Sequence, residues 1–387
     1  MASPGNAGVA AARPSRLFRE RCAELSGILH RIDHIVPPQK YAGGRTRRLQ
    51  LVVAKEVARL HEQVSRLSGD TAQGWDGLAS LERLAQRLAG ETLAAVGGVI
   101  IRAAELDGDT CDIADALITS ISTRMTLGYE LVTVPSGSEF IDLMSDVIRV
   151  RYPGTGVWDL PLSLHEFGHF LVTHLPRSSE PSVATIVEQE RAERPYRGFF
   201  AEELWADTFA TYVGGPAYAL SALERFDVVR PDDDEKPSHP SPMKRAAAIR
   251  LTLHGSQAAW ERKDLAAGSL VESIASSEQL WRDRLTASGW EEQPASEDVQ
   301  SAERLAETFI SILDRDWTVI RYDNASRAAA VRRGFEAAQP ELPPGAGLID
   351  VLNGGWWARR IAQTNLQNIQ PISEGVLSMC KRIMANG

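Results

Sequence analysis

Apolar residues recur at intervals of three and four along the first third of the chain. Residues with this spacing share one face of an α-helix, so the pattern predicts amphipathic helices. One stripe, from Leu49 to Leu67, keeps heptad-like spacing for fewer than three heptads, which favours packing inside a bundle over an extended coiled coil. The predicted helices cover residues 17–35, 49–67, 78–88 and 112–125.

The pattern changes near residue 129, where β-branched residues become frequent. One such run covers residues 130–134 and is ended by Pro135. A second run covers residues 147–152 and is ended by Pro153-Gly154. Both have the length and composition of strands, so we expect a small sheet here.

Helical periodicity dominates the rest of the chain. Two apolar helices flank a polar, charged connection, and a loop rich in Asp, Pro and Ser follows beyond Pro231. Breaks rich in Gly and Pro separate further helices after residue 265. The predicted central helices cover 160–175, 199–212 and 242–253, and the breaks near the C-terminus lie at 289–294 and 340–347.

These elements predict a mainly α-helical (α+β) protein with a small β-sheet. A chain of 387 residues is long enough for two or three domains. We expect a flexible tail at 1–15, a helical N-terminal region at 16–128, a core at 129–260 and a helical C-terminal region at 261–387.

Charge and cysteine content narrow the function classes. The net charge of −9 argues against a general nucleic-acid binder, although Arg45, Arg47 and Arg48 form a local basic cluster. The three cysteines are widely separated and include no CxxC pair, which is typical of a reducing compartment, and we expect a cytoplasmic protein. The longest apolar run, 92–101, is about half the length that crosses a bilayer, so no membrane contact is expected.

The strongest chemical signal is the pentapeptide HEFGH in the helix predicted at 160–175. His165 and His169 are four residues apart and share one helical face, where both imidazoles can bind one metal ion. Glu166 points beside that face, toward a metal-bound water. This is the HExxH pattern, and it indicates a Zn2+ site in which Glu166 is the general base.

A catalytic zinc site needs a third protein ligand and an open fourth position. The sequence EELWAD offers Glu203, 34 residues after His169, on a helix rich in apolar residues, where a carboxylate needs a partner to be buried. Asp207 follows four residues later on the same face and can orient a ligand histidine. Asp207 is the alternative third ligand.

The pairing of HEFGH with EELWAD resembles the gluzincin group of zinc metallopeptidases, which carries HExxH on one helix and ExxxD on the next. The resemblance covers about residues 130–255 and implies a zincin-like metallopeptidase core. It implies that His165, His169 and Glu203 bind zinc, that Glu166 is the catalytic base, and that Asp207 supports the ligands. Val172 and Leu175 stand where the metzincin pattern requires Gly and His, which excludes that class.

A further segment, His239-Pro240-Ser241 followed by Arg245, resembles the HPSxxxR sequence found after the third ligand in some gluzincins. Hydrolysis needs a donor for the developing oxyanion besides the metal. His239, Arg245 and Tyr212 are the candidates. Alternatively, Arg245 pairs with the acidic residues at 232–234.

Together these features predict a zinc metallopeptidase, with an endopeptidase favoured over an exopeptidase. The expected substrate is an extended polypeptide that pairs with the strand at 147–152. Two alternatives stay open. One is a helical regulatory protein whose zinc site has no turnover and whose flanking helices bind a partner, and the other is a hydrolase of a non-peptide amide.

Overall fold

The structure is a computed structural model of the chain. The chain forms two compact units, the first made of residues 1–107 with 134–152 and the second of 108–133 with 153–387. The structure describes residues 16–35, 44–67, 71–129, 131–136, 147–151, 156–175, 180–193, 199–226, 239–263, 267–290, 296–362 and 369–386. The tail predicted at 1–15 and most of the loop beyond Pro231 lie outside these residues.

Within the described residues the protein is mainly α-helical, with fourteen α-helices and one two-stranded parallel sheet. The prediction of a mainly α fold with a small sheet is therefore confirmed. The helices are α1 (Arg16–Asp33), α2 (Gly44–Ser65), α3 (Ala72–Ala103), α4 (Thr110–Arg124), α5 (Ser163–His174), α6 (Val183–Glu193), α7 (Phe200–Gly214), α8 (Pro216–Arg225), α9 (Pro242–Lys263), α10 (Ala267–Ala287), α11 (Glu297–Asp316), α12 (Ala325–Glu336), α13 (Leu348–Ala362) and α14 (Ile369–Asn386).

In the first unit, α1, α2 and α3 pack on one another through the predicted apolar stripes. Helix α3 is longer than its stripe at 78–88 predicts, because it continues through the apolar run at 92–101. By length and composition α3 is the one described helix that could cross a membrane, and 44% of its most apolar window is buried. Core helices of soluble proteins pass the same test, so α3 decides nothing about a membrane.

The sheet consists of β1 (Val132–Ser136) and β2 (Val147–Arg151). Both predicted strands are confirmed, although residues 130 and 152 lie outside the described residues. The prediction that Pro135 ends the first strand is wrong, since β1 continues to Ser136. Each strand of a two-stranded sheet has one unpaired edge. Proline, which has no backbone N–H, is tolerated where its nitrogen faces that edge, because no hydrogen bond between the strands is lost.

In the second unit, a short 3-10 helix at Val157–Leu162 leads into α5, and α7 packs against α5, α9 and α11. Helix α7 is buried on nearly every face, and the Trp205 indole at its centre contacts Phe209 and Phe309. Three features of this unit differ from the sequence prediction. Helix α6 lies in the polar, charged connection, and α8 lies between residue 212 and Pro231, where no helix is predicted. Helix α9 continues ten residues beyond 253.

Candidate metal centre

The close approach of α5 and α7 brings the two sequence motifs together. Gly168 lies against Ala206, and a β-carbon at position 168 would be only 2.9 Å from the α-carbon of Ala206. The Trp205 indole N–H donates a hydrogen bond of 2.8 Å to the carbonyl of Gly168. The glycine at the fourth position of HEFGH therefore lets α7 come near enough to place Glu203 beside both histidines.

His165, His169 and Glu203 form a group whose donor atoms could hold one metal ion. The two Nε2 atoms are 3.1 Å apart. The Nε2 of His165 is 3.4 Å from Oε2 of Glu203, and that of His169 is 3.4 Å from Oε1. Tetrahedral ligands at zinc bond lengths are about 3.3–3.4 Å from one another, so these separations fit a single small cation.

The surroundings of Glu203 also favour a cation. Its Oε2 atom is buried and has no hydrogen-bond partner among the described residues, which is costly for a carboxylate oxygen unless a metal or another charge compensates it. Burial opposes ionisation of Glu203, but His169 and Arg245 outweigh it and hold its pKa well below the ordinary value. Two imidazole nitrogens and one ionised carboxylate are a typical donor set for a divalent metal.

The side of the His165 ring that faces away from Glu203 is held by buried groups. Its Nδ1 is 3.0 Å from Oδ1 of Asp207 and 3.1 Å from the Tyr218 hydroxyl, which donates a bond of 2.5 Å to the same oxygen. Arg245 binds both Asp207 oxygens, through Nε at 2.7 Å and Nη2 at 2.8 Å. An Nδ1–H donating to Asp207 leaves the Nε2 lone pair free for a metal.

The far side of His169 is more open. Its side chain is 24% exposed, against 11% for His165, and its Nδ1 is 3.4 Å from Oε1 of Glu202. The other Glu202 oxygen accepts a hydrogen bond of 3.0 Å from Arg191 on α6. Burial opposes protonation of His169, but Glu203, Glu202 and Glu166 raise its pKa well above the ordinary value. Glu166 is half-buried, and the negative charge of its carboxylate is one of those that raise the pKa of His169.

The structure brings two of the three predicted oxyanion donors to the group. His239 is about one-third exposed, with Nε2 3.3 Å from Oε1 of Glu203. Arg245 is close, with Nη1 3.6 Å from Oε2 of Glu203, but its other two nitrogens bind Asp207. Its alternative partners at 232–234 lie outside the described residues. Tyr212 is directed away, and its hydroxyl donates to Asp314 on α11.

The reason for the placement of Tyr212 is helical geometry. It is five residues after Asp207, which turns it about 140° from the face that carries Asp207 and Glu203. Three residues near the group were not predicted from the sequence, namely Tyr218, Glu202 and Arg191.

Comparison with known protein families, curated proteins and solved structures finds no match to this chain.

Proposed function

We propose that the protein is a zinc-dependent hydrolase of the gluzincin type, with a zincin-like core, and that its substrate is a polypeptide. The observation that carries the proposal is the His165–His169–Glu203 group with Glu166 beside it. Two nitrogen donors and one oxygen donor are the ligand set of several catalytic zinc enzymes, and they leave a fourth position for water or substrate. The assignment to the gluzincin group rests on the motifs HEFGH and EELWAD.

Zinc in this group would supply a water of lowered pKa and would polarise the scissile carbonyl. The residues of the chain do the rest. Glu166 accepts the proton of the attacking water and returns it to the leaving amine. His239 lies at the rim of the group, where a protonated Nε2 can donate to a developing oxyanion. Arg245 keeps Asp207 ionised and in place behind His165.

A zinc protein without turnover is the rival proposal. Such a protein needs the three ligands but has no use for Glu166, whose carboxylate in the proposed reaction handles the proton of water rather than the metal. A change that removes the basicity of Glu166 and preserves its shape should therefore abolish cleavage by the proposed enzyme, whereas the rival protein has no cleavage to lose.

The test is Glu166→Gln in protein prepared with zinc, with Glu374→Gln, an exposed carboxylate on α14, as the matched control. We expect about one zinc per chain in all three proteins by elemental analysis. Peptide cleavage, followed by mass spectrometry on a mixture of cellular peptides, should fall about 100- to 10,000-fold in Glu166→Gln and stay unchanged in Glu374→Gln.

Each outcome separates the proposals. Absence of zinc from the unaltered protein would refute the metal centre. Cleavage by Glu166→Gln at the original rate would remove Glu166 from the role of base. Zinc without any cleavage by the unaltered protein would favour the regulatory alternative or a non-peptide amide as substrate.

A further inference from the structure

We call His165, His169 and Glu203 the metal group, the side at Asp207 its buried side and the side at Glu202 its open side. The open side contains contacts that the proposed reaction does not use. Glu202 bridges two residues, with Oε1 3.4 Å from Nδ1 of His169 and Oε2 3.0 Å from the Arg191 guanidinium. Arg191 belongs to α6, and its guanidinium also lies over the Phe199 ring, 5.2 Å from the ring centroid. These contacts link α6 to a metal ligand through two side chains.

A metal-binding imidazole is held in orientation by the acceptor on its second nitrogen. For His165 that acceptor is Asp207, which is fully buried and held by Arg245 and Tyr218. For His169 the described residues place Glu202 at the corresponding nitrogen. Glu202 is 20% exposed, and it needs a partner of its own to stay in one conformation.

Arg191 is that partner, and its position depends on α6. This helix packs on α5 and α7, and its buried residues, Val183, Ala184 and Val187, lie in its N-terminal half. Arg191 lies in its last turn, at the end away from these buried residues, and is about half exposed. A change in the position of that end of α6 would withdraw the guanidinium from Glu202 without opening the core.

We propose that Glu202 is a positioning residue for His169, that Arg191 holds Glu202 in place, and that α6 thereby sets how fast the metal leaves. This rests on the metal centre of the proposed function. The buried side of the group keeps His165 oriented in every case. Metal release therefore begins at His169, whose support comes from an exposed ion pair.

The experiment measures zinc release from zinc-loaded full-length protein into an excess of chelator. Glu202→Gln should accelerate release about 10- to 100-fold, the effect typical of losing such a support. Arg191→Ala should accelerate it about two- to fivefold, as expected for an exposed ion pair. Arg191→Lys should restore most of the slow release. Gln189→Ala, which removes an exposed hydrogen bond to Glu193 on the same helix, is the matched control and should change nothing.

The double variant separates positioning from general stabilisation of α6. If Arg191 acts through Glu202, adding Arg191→Ala to Glu202→Gln has no further effect on release. Equal acceleration by Arg191→Ala in both backgrounds, or unchanged release in either single variant, would overturn the inference while leaving the zinc centre intact. Failure of the unaltered protein to take up zinc would instead refute the proposed function.

Discussion

The two imidazoles of the metal group have contrasting surroundings. His165 is backed by Asp207, which is fully buried and accepts hydrogen bonds from Arg245 and Tyr218. His169 is backed by Glu202, which is partly exposed and pairs with a surface arginine. Buried, fully bonded networks fix one geometry, whereas exposed ion pairs are weak and exchange with water. The imidazole of His165 is thus held by the core, and that of His169 is held by a weaker pair at the surface.

The largest expected effect comes from removing a ligand histidine. His165→Ala and His169→Ala should each abolish stoichiometric zinc binding, because two protein donors do not make a catalytic zinc site. Their effects on the metal-free protein should differ. His165→Ala should lower the free energy of unfolding by about 1–3 kcal/mol, since Asp207 and Tyr218 lose a buried partner. His169→Ala should cost less than His165→Ala, because Arg245 still compensates the charge of Glu203 after His169 is removed.

Denaturant titration of the metal-free variants measures this difference, and elemental analysis measures the zinc. The Glu374→Gln protein serves again as the control for an exposed site. Equal destabilisation by both histidine variants would contradict the contrast between the two sides.

The next prediction distinguishes Glu203 as the third ligand from Asp207, which supports His165. Glu203→Ala should weaken zinc binding most, because it removes an anionic donor that lies between the two imidazoles. Asp207→Ala should weaken binding by only about 10- to 100-fold, since Asp207 faces the nitrogen of His165 that points away from the group. Zinc dissociation constants give the order. A larger loss in Asp207→Ala would make Asp207 the ligand.

The smallest expected effect is a pH dependence of the free energy of unfolding, which comes from Asp207 behind His165. Burial by itself would raise the pKa of Asp207, but Arg245 and His165 outweigh it and lower the value from 3.8 to about 2. An acid with a depressed pKa in the folded state stabilises the fold above its ordinary pKa, and this stability is lost as pH falls through the folded value. The window is therefore about pH 4 to 2, and the loss is about 2 kcal/mol.

The measurement compares the unfolding free energy of metal-free unaltered protein with that of Asp207→Asn. The gap between them should be constant above about pH 5 and should narrow by about 2 kcal/mol toward pH 2. A gap that does not change with pH would show that Asp207 is not the ionised centre of this network.

Much of the metal group could be predicted from local sequence. The spacing of His165 and His169 places them on one helical face whatever the rest of the fold does, because a helix repeats every 3.6 residues. The same rule links Glu203 to Asp207. It also shows why Tyr212 was a poor candidate, since a separation of five residues turns a side chain off that face. These predictions needed only the identity and spacing of residues within single helices.

The supports behind the histidines depend on tertiary structure. Tyr218 is on α8, beyond Gly215, whose φ of 60° turns the chain so that the hydroxyl returns to His165 and Asp207. Arg191 is on α6, a helix whose polar sequence predicts a connection. Arg245 lies 38 residues after Asp207, and only the packing of α9 on α7 brings the two together. None of these contacts follows a helical period.

The sequence by itself determined the helical fold class, the small sheet and the common helical face of the two histidines, because these follow from periodicity and short-range spacing. The group of His165, His169 and Glu203 forms only through the packing of α7 on α5. Tertiary structure alone decided which side of that group is buried and which is open. The reason is physical, since burial depends on which distant helices pack on α5 and α7. That packing leaves the acid behind His165, Asp207, fully buried and the acid behind His169, Glu202, partly exposed.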